Sequence, residues 1–246
     1  MRELFDLQSF YRDFAKAADQ GGFRGEVLLE MEDGPLMAWE KVGNGPVVYL
    51  SAGMHGDEPA GPLAALEMME RGVFDDNRHW LICPVMNPGG LALHTRENRE
   101  GKDLNRDYLK METLEVAAHI RWLDRRPVPD LFVSLHEDWE STGFYFYEIN
   151  CGNDRPEVAE AIFSATSVVM PVEPEVFIDG HEVREAGWIF HCPDADVPDH
   201  WPEAIYLAKK GCPLSFTFET PSSADLVDRT RVQMLAFQEL LKKVVP

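Results

Sequence analysis

Basic residues are scarce in this chain of 246 residues, with 23 Lys and Arg against 43 Asp and Glu and a formal net charge of -20. Nucleic acid and anionic membrane surfaces both require a basic face. The composition therefore argues against either as a partner, and an anionic ligand would need a local cluster of cations. Cysteine is scarce too: Cys83, Cys151, Cys192 and Cys212 lie far apart and form no C-x-x-C pair. That spacing argues against a disulfide framework or a structural zinc knot and fits reduced thiols in a cytoplasm. No apolar run reaches the roughly 18 to 20 residues of a membrane span. The opening Met1-Arg2-Glu3-Leu4-Phe5-Asp6 lacks the charged-then-apolar order of a signal peptide, so a soluble, cytoplasmic protein is expected. Repeats, low-complexity tracts and long linkers are likewise missing, and 45% hydrophobic composition suffices for one sizeable core. One domain over 1–246 is the expectation.

Strand-like and helix-like runs alternate along most of the length. This favours an α/β domain, with a mixed, mostly parallel twisted sheet covered by helices on both faces. Helices are expected over 59–71, 112–125 and 222–243 from their apolar spacing. Further strands are expected at 80–85 and 143–149. The segment 171–202 is rich in Pro, Asp, Glu and His, has little periodicity, and reads as long loops over the sheet edge, where binding residues gather.

Three of the strand-like runs end in polar residues suited to metal hydrolysis. Val47-Val48-Tyr49-Leu50-Ser51-Ala52-Gly53 leads directly to His55 and Glu58, Leu131-Phe132-Val133-Ser134-Leu135 ends in His136, and Leu214-Ser215-Phe216-Thr217-Phe218 ends in Glu219. Ligands of open α/β sheets bind beyond the carboxyl ends of the strands. Catalytic zinc typically takes three protein ligands, as in His2Glu sites, with a further position open; His55, Glu58 and His136 fit that count. An isolated H-x-x-E pair is common on solvated turns. Here it follows an apolar strand and the small residues Ser51, Ala52 and Gly53, and it precedes a helix start.

Between Asn87 and Arg106 this acidic chain gathers Arg96, Arg99, Lys102 and Arg106 with Asn98 and Asn105 in a glycine-bearing loop. Arginine binds carboxylates through a bidentate fork and can stabilise a developing oxyanion. A solvated charged loop is the plain alternative.

The motifs H-G-D-E, N-P-G-G, R-x-N-x-x-G-x-D-L-N-R, S-L-H-E and the F-x-F-E strand occur here in the order found in zinc carboxypeptidases of the carboxypeptidase A type. The chain resembles the short bacterial members and the succinylglutamate desuccinylase/aspartoacylase branch from about Val47 to Glu219. The resemblance implies a zinc carboxypeptidase-like fold with Zn2+ held by His55, Glu58 and His136, and Glu219 as general base and acid acting on water. It further implies that Arg96 polarises the scissile carbonyl while Asn105 and Arg106 bind the substrate carboxylate. Arg99 is the rival for the role of Arg96.

The chain departs from the digestive enzymes of that family, which carry a mobile tyrosine ahead of the catalytic glutamate. Over 171–210 it offers only Tyr206, in a helix-like run, so no tyrosine is assigned and weight moves towards the deacylase branch. The expected activity is zinc-dependent hydrolysis of amide bonds next to a free carboxylate, in a metallocarboxypeptidase acting on peptides or peptide-like substrates. An N-acyl amino acid deacylase is the alternative, and a non-catalytic zinc-binding protein is the alternative of another class. Weaker candidates are His191 to Asp196 and His181-Glu182, as a second metal site or a substrate pocket. Asp57, Glu137 and Asp138 could orient ligands or simply be solvated.

Overall fold

Residues 5–244 are described by the structure, a computed structural model. Helix α1 (Leu7–Gln20) is capped by Asp6, whose side chain accepts from the Ser9 amide, and leads to the antiparallel strands β1 (Arg24–Leu29) and β2 (Leu36–Lys41). Strand β3 (Val47–Ala52), helix α2 (Ala60–Glu70) and strand β4 (His79–Cys83) form a parallel crossover. Helix α3 (Pro88–Leu93), a short 3-10 turn (Leu104–Arg106) and helix α4 (Leu114–Leu123) follow, then strands β5 (Leu131–Asp138) and β6 (Tyr145–Asn150). After helix α5 (Pro156–Thr166) come three short strands, β7 (Phe177–Ile178), β8 (His181–Glu182) and β9 (Trp188–Phe190). Helix α6 (Glu203–Lys209), strand β10 (Leu214–Pro221) and helix α7 (Leu226–Val244) complete the fold.

The eight-stranded sheet has the order β1-β2-β4-β3-β5-β10-β6-β9. Its central strands β4, β3, β5 and β10 are parallel, while the β1/β2, β2/β4 and β10/β6 pairings are antiparallel. Side chains alternate between faces. Val48, Leu50, Val133, Leu135, Phe216 and Phe218 join the core under α1, α2, α5 and α7. Tyr49, Leu81 and Phe132 point the other way, beneath α4 and α6. Both faces are thus covered, in the expected α/β arrangement. No described helix is long and apolar enough to cross a membrane, and all four cysteines are free.

Segment 171–202 departs from the loop expected there. It contains a two-stranded hairpin, β7–β8, and β9 pairs in parallel with β6 to extend the main sheet. These strands have two or three residues each, too short for an alternating pattern to register. A local signal was nevertheless present. Asp179-Gly180 forms the hairpin turn with φ of 47° and 82°, and Asp-Gly is the pair that a two-residue turn with positive φ at both positions favours.

Candidate metal and substrate site

Glu58 lies between two imidazoles. Its Oε1 is 2.6 Å from His55 Nδ1 and its Oε2 is 2.9 Å from His136 Nδ1. The three residues are buried, and their donor atoms lie within 4.8 Å of one another.

Close backbone packing fixes the turn that carries His55 and Glu58. Gly53 has φ 62°, and a Cβ on Gly56 would sit 1.8 Å from the Gly90 carbonyl carbon. The Asn87 amide donates to Gly53 O, and the Asn87 side chain caps α3 by accepting from the Gly90 amide. The N-P-G-G motif therefore serves as the bed of this turn. On the other side, Glu137 accepts from the Ala60 amide at the start of α2 and pairs with Arg229 of α7. Its side chain is fully buried, so Glu137 anchors the helix behind the ligands, and burial pushes its carboxyl up to about 7.

Asp103 completes the His55 environment: its Oδ1 is 3.2 Å from His55 Nε2. Its Oδ2 accepts from Arg96 Nε at 3.2 Å and from Nη2 at 3.1 Å. Nothing in one dimension marks this carboxylate of the cationic loop as the partner of a histidine 48 positions away. The two candidate arginines, Arg96 and Arg99, occupy different places. Arg96 lines the cavity, with Nη1 3.7 Å from Glu58 Oε1. Arg99 turns away to fork onto Asp33, outside the cavity, because that carboxylate is presented by the β1–β2 connection.

The imidazoles and the carboxylates perturb one another. Burial alone would depress His55, but the Glu58 charge and bonds to Asp103 and Glu58 lift it to about 9. Burial would raise Glu58; the charges of His55 and His136 override it and hold the carboxyl near 2. Burial lowers His136. Glu219 pairs in register with His136 on the adjacent strand. Burial, reinforced by the charges of Glu58 and Asp138, pushes its carboxyl well above the usual range.

His55, Glu58, Arg96, His136 and Glu219 border a cavity of about 670 Å³ that also exposes Asn105 and Arg106. Asn105 is held by its Oδ1, which accepts from the Glu203 amide. Arg106 is exposed, with Nη1 donating to the Asn105 carbonyl. Ser215, Thr217 and Glu219 of β10 and Tyr145, Tyr147 and Ile149 of β6 share the cavity face. Tyr206 instead lies in α6 against Tyr108 and does not line the cavity. The two lining tyrosines come from β6, and their phenols donate to Asp138 and Asp179 respectively. Their alternation in Tyr145-Phe146-Tyr147 was the available sign. Asp57 is exposed. His181 and His191 also line the cavity, and His191 directly follows β9, which gives it the strand context that its sequence seemed to lack.

The donor set suits a divalent metal. Two imidazole nitrogens and a carboxylate converge on one point, and a carboxylate faces the far nitrogen of one imidazole, the outer partner that histidine ligands generally have. Metal binding displaces protons from donor sets of this kind.

The succinylglutamate desuccinylase/aspartoacylase catalytic domain family matches residues 44–122. No curated protein matches the chain in sequence. Among solved structures it is similar to a candidate metallopeptidase from Shewanella amazonensis SB2B, at 23% identity and a TM-score of 0.86 over 98% of this chain and 94% of that one. It is also similar to a metallo-carboxypeptidase from Burkholderia cenocepacia, at 15% identity and a TM-score of 0.72 over 97% and 69% of the two chains. A third relative is a metallo-carboxypeptidase from Pseudomonas aeruginosa in complex with (2-guanidinoethylmercapto)succinic acid, at 17% identity and a TM-score of 0.69 over 98% and 69%. The chain is carboxypeptidase-like in fold, and its residues 44–122 are similar to the succinylglutamate desuccinylase/aspartoacylase catalytic domain.

Proposed function

We propose that the protein is a zinc-dependent hydrolase of amide bonds adjacent to a free carboxylate, acting as a carboxypeptidase on small peptides or peptide-like substrates. The observation that carries this reading is the convergence in one cavity of the His55–Glu58–His136 donor set, the Glu219 carboxyl and the cationic pair Arg96 and Arg106.

His55, Glu58 and His136 would hold the zinc ion. When bound, zinc acts as a Lewis acid and makes water acidic enough to supply a nucleophile near neutral pH. Arg106 and Asn105 receive the substrate carboxylate, with Asn105 oriented by the Glu203 amide. A charge-assisted fork of this kind fixes the scissile bond relative to the reacting groups. Arg96, steered by Asp103, donates to the carbonyl oxygen as negative charge develops there. Glu219 removes a proton from the attacking water and returns it to the leaving amine. The succinate derivative bound by the Pseudomonas aeruginosa relative is a dicarboxylate, which supports a carboxylate clamp.

A second reading, N-acyl amino acid deacylation, draws on the family match over 44–122 and on the lack of any tyrosine other than Tyr206 within 171–210. Both readings place the same groups around the bond. The test is a mass-spectrometric screen of zinc-loaded protein against peptides, acetylated and succinylated amino acids, and amidated controls. Release of C-terminal residues supports the first reading and release of the acyl acid supports the second. Tight zinc binding with no hydrolysis of any substrate would return the chain to the class of binding proteins.

A further inference from the structure

A second group of metal-type donors stands in the wall of the same cavity. His181 Nε2 lies 3.5 Å from Asp196 Oδ2, and His191 Nε2 lies 3.3 Å from Oδ1 and 3.2 Å from Oδ2 of the same carboxylate. The two imidazole rings are 4.9 Å apart between centroids, and all three donor atoms lie within 4.8 Å of one another.

The hydrogen bonding of His191 gives this cluster its meaning. Its Nδ1 faces the Cys192 carbonyl oxygen. A carbonyl only accepts, so Nδ1 carries the hydrogen. In the neutral ring Nε2 is then a lone pair aimed at a carboxylate. Two acceptors at 3.2 Å repel unless a positive charge lies between them. His181 directs its own Nε2 at the same carboxylate, so one cation shared among them would satisfy all three groups. An imidazole whose Nδ1–H is fixed by a backbone carbonyl, leaving Nε2 free, has the arrangement of a metal ligand.

The spacing agrees. With metal–nitrogen and metal–oxygen bonds of about 2.0 to 2.2 Å, tetrahedral ligands stand about 3.3 Å apart, against 3.2 to 3.5 Å for the Asp196 contacts here.

The scaffold also holds the imidazoles in place. His181 follows the Asp179-Gly180 turn of the β7–β8 hairpin, and its ring packs edge-on against Tyr147 at 5.6 Å. Tyr147 is fixed in turn by donating to Asp179. His191 follows β9, with its amide donating to Glu148 O. Side-chain exposure is 21% for His181 and 10% for His191, whereas Asp196 is 65% exposed. Two ordered imidazoles thus meet a carboxylate that solvent can reach, which leaves room for water to complete the coordination.

We propose that His181, His191 and Asp196 form a second site for a borderline divalent cation such as zinc, separate from the His55–Glu58–His136 set. Imidazole and carboxylate together suit zinc, nickel or copper better than calcium or magnesium. The three ligands come from the hairpin, the end of β9 and the loop that follows it. A bound ion would therefore fasten loop 192–201 to the hairpin and fix the part of the cavity wall formed by Ala195, Asp196 and Val197.

The test is native mass spectrometry and calorimetric titration of the metal-stripped full chain with zinc. Two equivalents are expected in the wild type. His191→Ala and Asp196→Asn should each retain one, and His136→Ala should lose the other. Because Asp196 is exposed, Asp196→Asn separates ligand loss from misfolding. Affinity for the second equivalent should fall by more than the roughly 10- to 100-fold typical of losing an outer partner. Hydrogen exchange over 192–201 should slow when the second equivalent binds to the wild type and should not respond in Asp196→Asn. A wild type that takes up a single equivalent, removed by His136→Ala and untouched by His191→Ala, would overturn the second site and leave the first intact. Two equivalents persisting in a His181→Ala/His191→Ala double variant would overturn it as well.

Discussion

Replacing Asp103 with asparagine tests whether the first site is organised by its outer carboxylate. Asp103 accepts from His55 Nε2 at 3.2 Å and twice from Arg96, at 3.1 and 3.2 Å, with its side chain 21% exposed. Burial would raise its carboxyl, yet His55 and then Arg96 and Arg106 draw it far below the usual range, so the group is a carboxylate wherever the site functions. Asparagine keeps the size and one acceptor but removes the charge that makes His55 a stronger donor to metal. Loss of such an outer partner typically weakens metal affinity 10- to 100-fold, which corresponds to about 1.4 to 2.7 kcal/mol. Zinc affinity would be measured by competition with a chelating dye. Asp103→Asn should raise Kd by one to two orders of magnitude, and Asp103→Ala, which also removes the acceptor, should raise it further. Asp33→Asn is the control, because it frees Arg99 outside the cavity and should leave Kd unchanged. A Kd for Asp103→Asn within twofold of wild type would refute the claim that Asp103 orients His55.

Glu219→Gln should keep zinc, by elemental analysis, while kcat falls by roughly 10^2 to 10^4, the range for a lost general base; near-normal turnover would remove Glu219 from the chemistry. Arg106→Ala should lower kcat/KM for substrates with a free carboxylate by about tenfold or more, since a bond to a charged group contributes roughly 1.5 to 3 kcal/mol. C-terminally amidated analogues should be poor substrates of both forms, and rapid wild-type cleavage of an amidated peptide would rule out the carboxylate clamp. Glu203, the first residue of α6, is buried against the sheet, where burial raises its carboxyl to about 7 against bonds from Ser51 and Tyr49 that lower it. A raised folded value means that its contribution is fully present below the unfolded value near 4.5 and is lost as pH rises through 7. Glu203→Gln should therefore gain stability relative to wild type on going from pH 5 to pH 8, by on the order of 3 kcal/mol, read as a pH-dependent difference in Tm; equal differences at both pH values would show that Glu203 is not held neutral.

The strands that end at the first site were legible because they are central and parallel. Val47–Ala52 and the first five residues of Leu131–Asp138 are mostly apolar, Leu214–Pro221 alternates Phe with small polar residues, and the switch to His, Glu or Asp marks where each leaves the covered part of the sheet. Partners supplied by loops were not legible. Asp33 reaches Arg99 across 66 positions and Asp103 reaches His55 across 48, and nothing in the local sequence of either carboxylate names its arginine or histidine. Short strands failed for a different reason: β9 has three residues and β8 two, so His181 of β8 and His191, which follows β9, read as loop residues although the hairpin and the sheet edge position them.

The cavity itself left a mark in the sequence that is clear only when neighbouring strands are compared. Along β10 the aromatic residues Phe216 and Phe218 enter the core under the helices, while Ser215, Thr217 and Glu219 border the cavity. β5 follows the same rule, with Val133 and Leu135 in the core and His136 on the cavity side. On β6, Tyr145, Tyr147 and Ile149 stand opposite Glu219, Thr217 and Ser215. A strand covered on both faces has no reason to place small or hydrogen-bonding side chains at every second position. Where two adjacent strands both do so in register, one face has lost its helices at that point. Further along the same face, Tyr49 and Ser51 donate to the Glu203 carboxyl group of α6, so the helix cover resumes there. The cavity therefore begins where α6 stops covering the sheet, and the metal donors, the Glu219 carboxyl and the cationic loop meet at that edge because it is where the parallel strands deliver their polar ends to solvent.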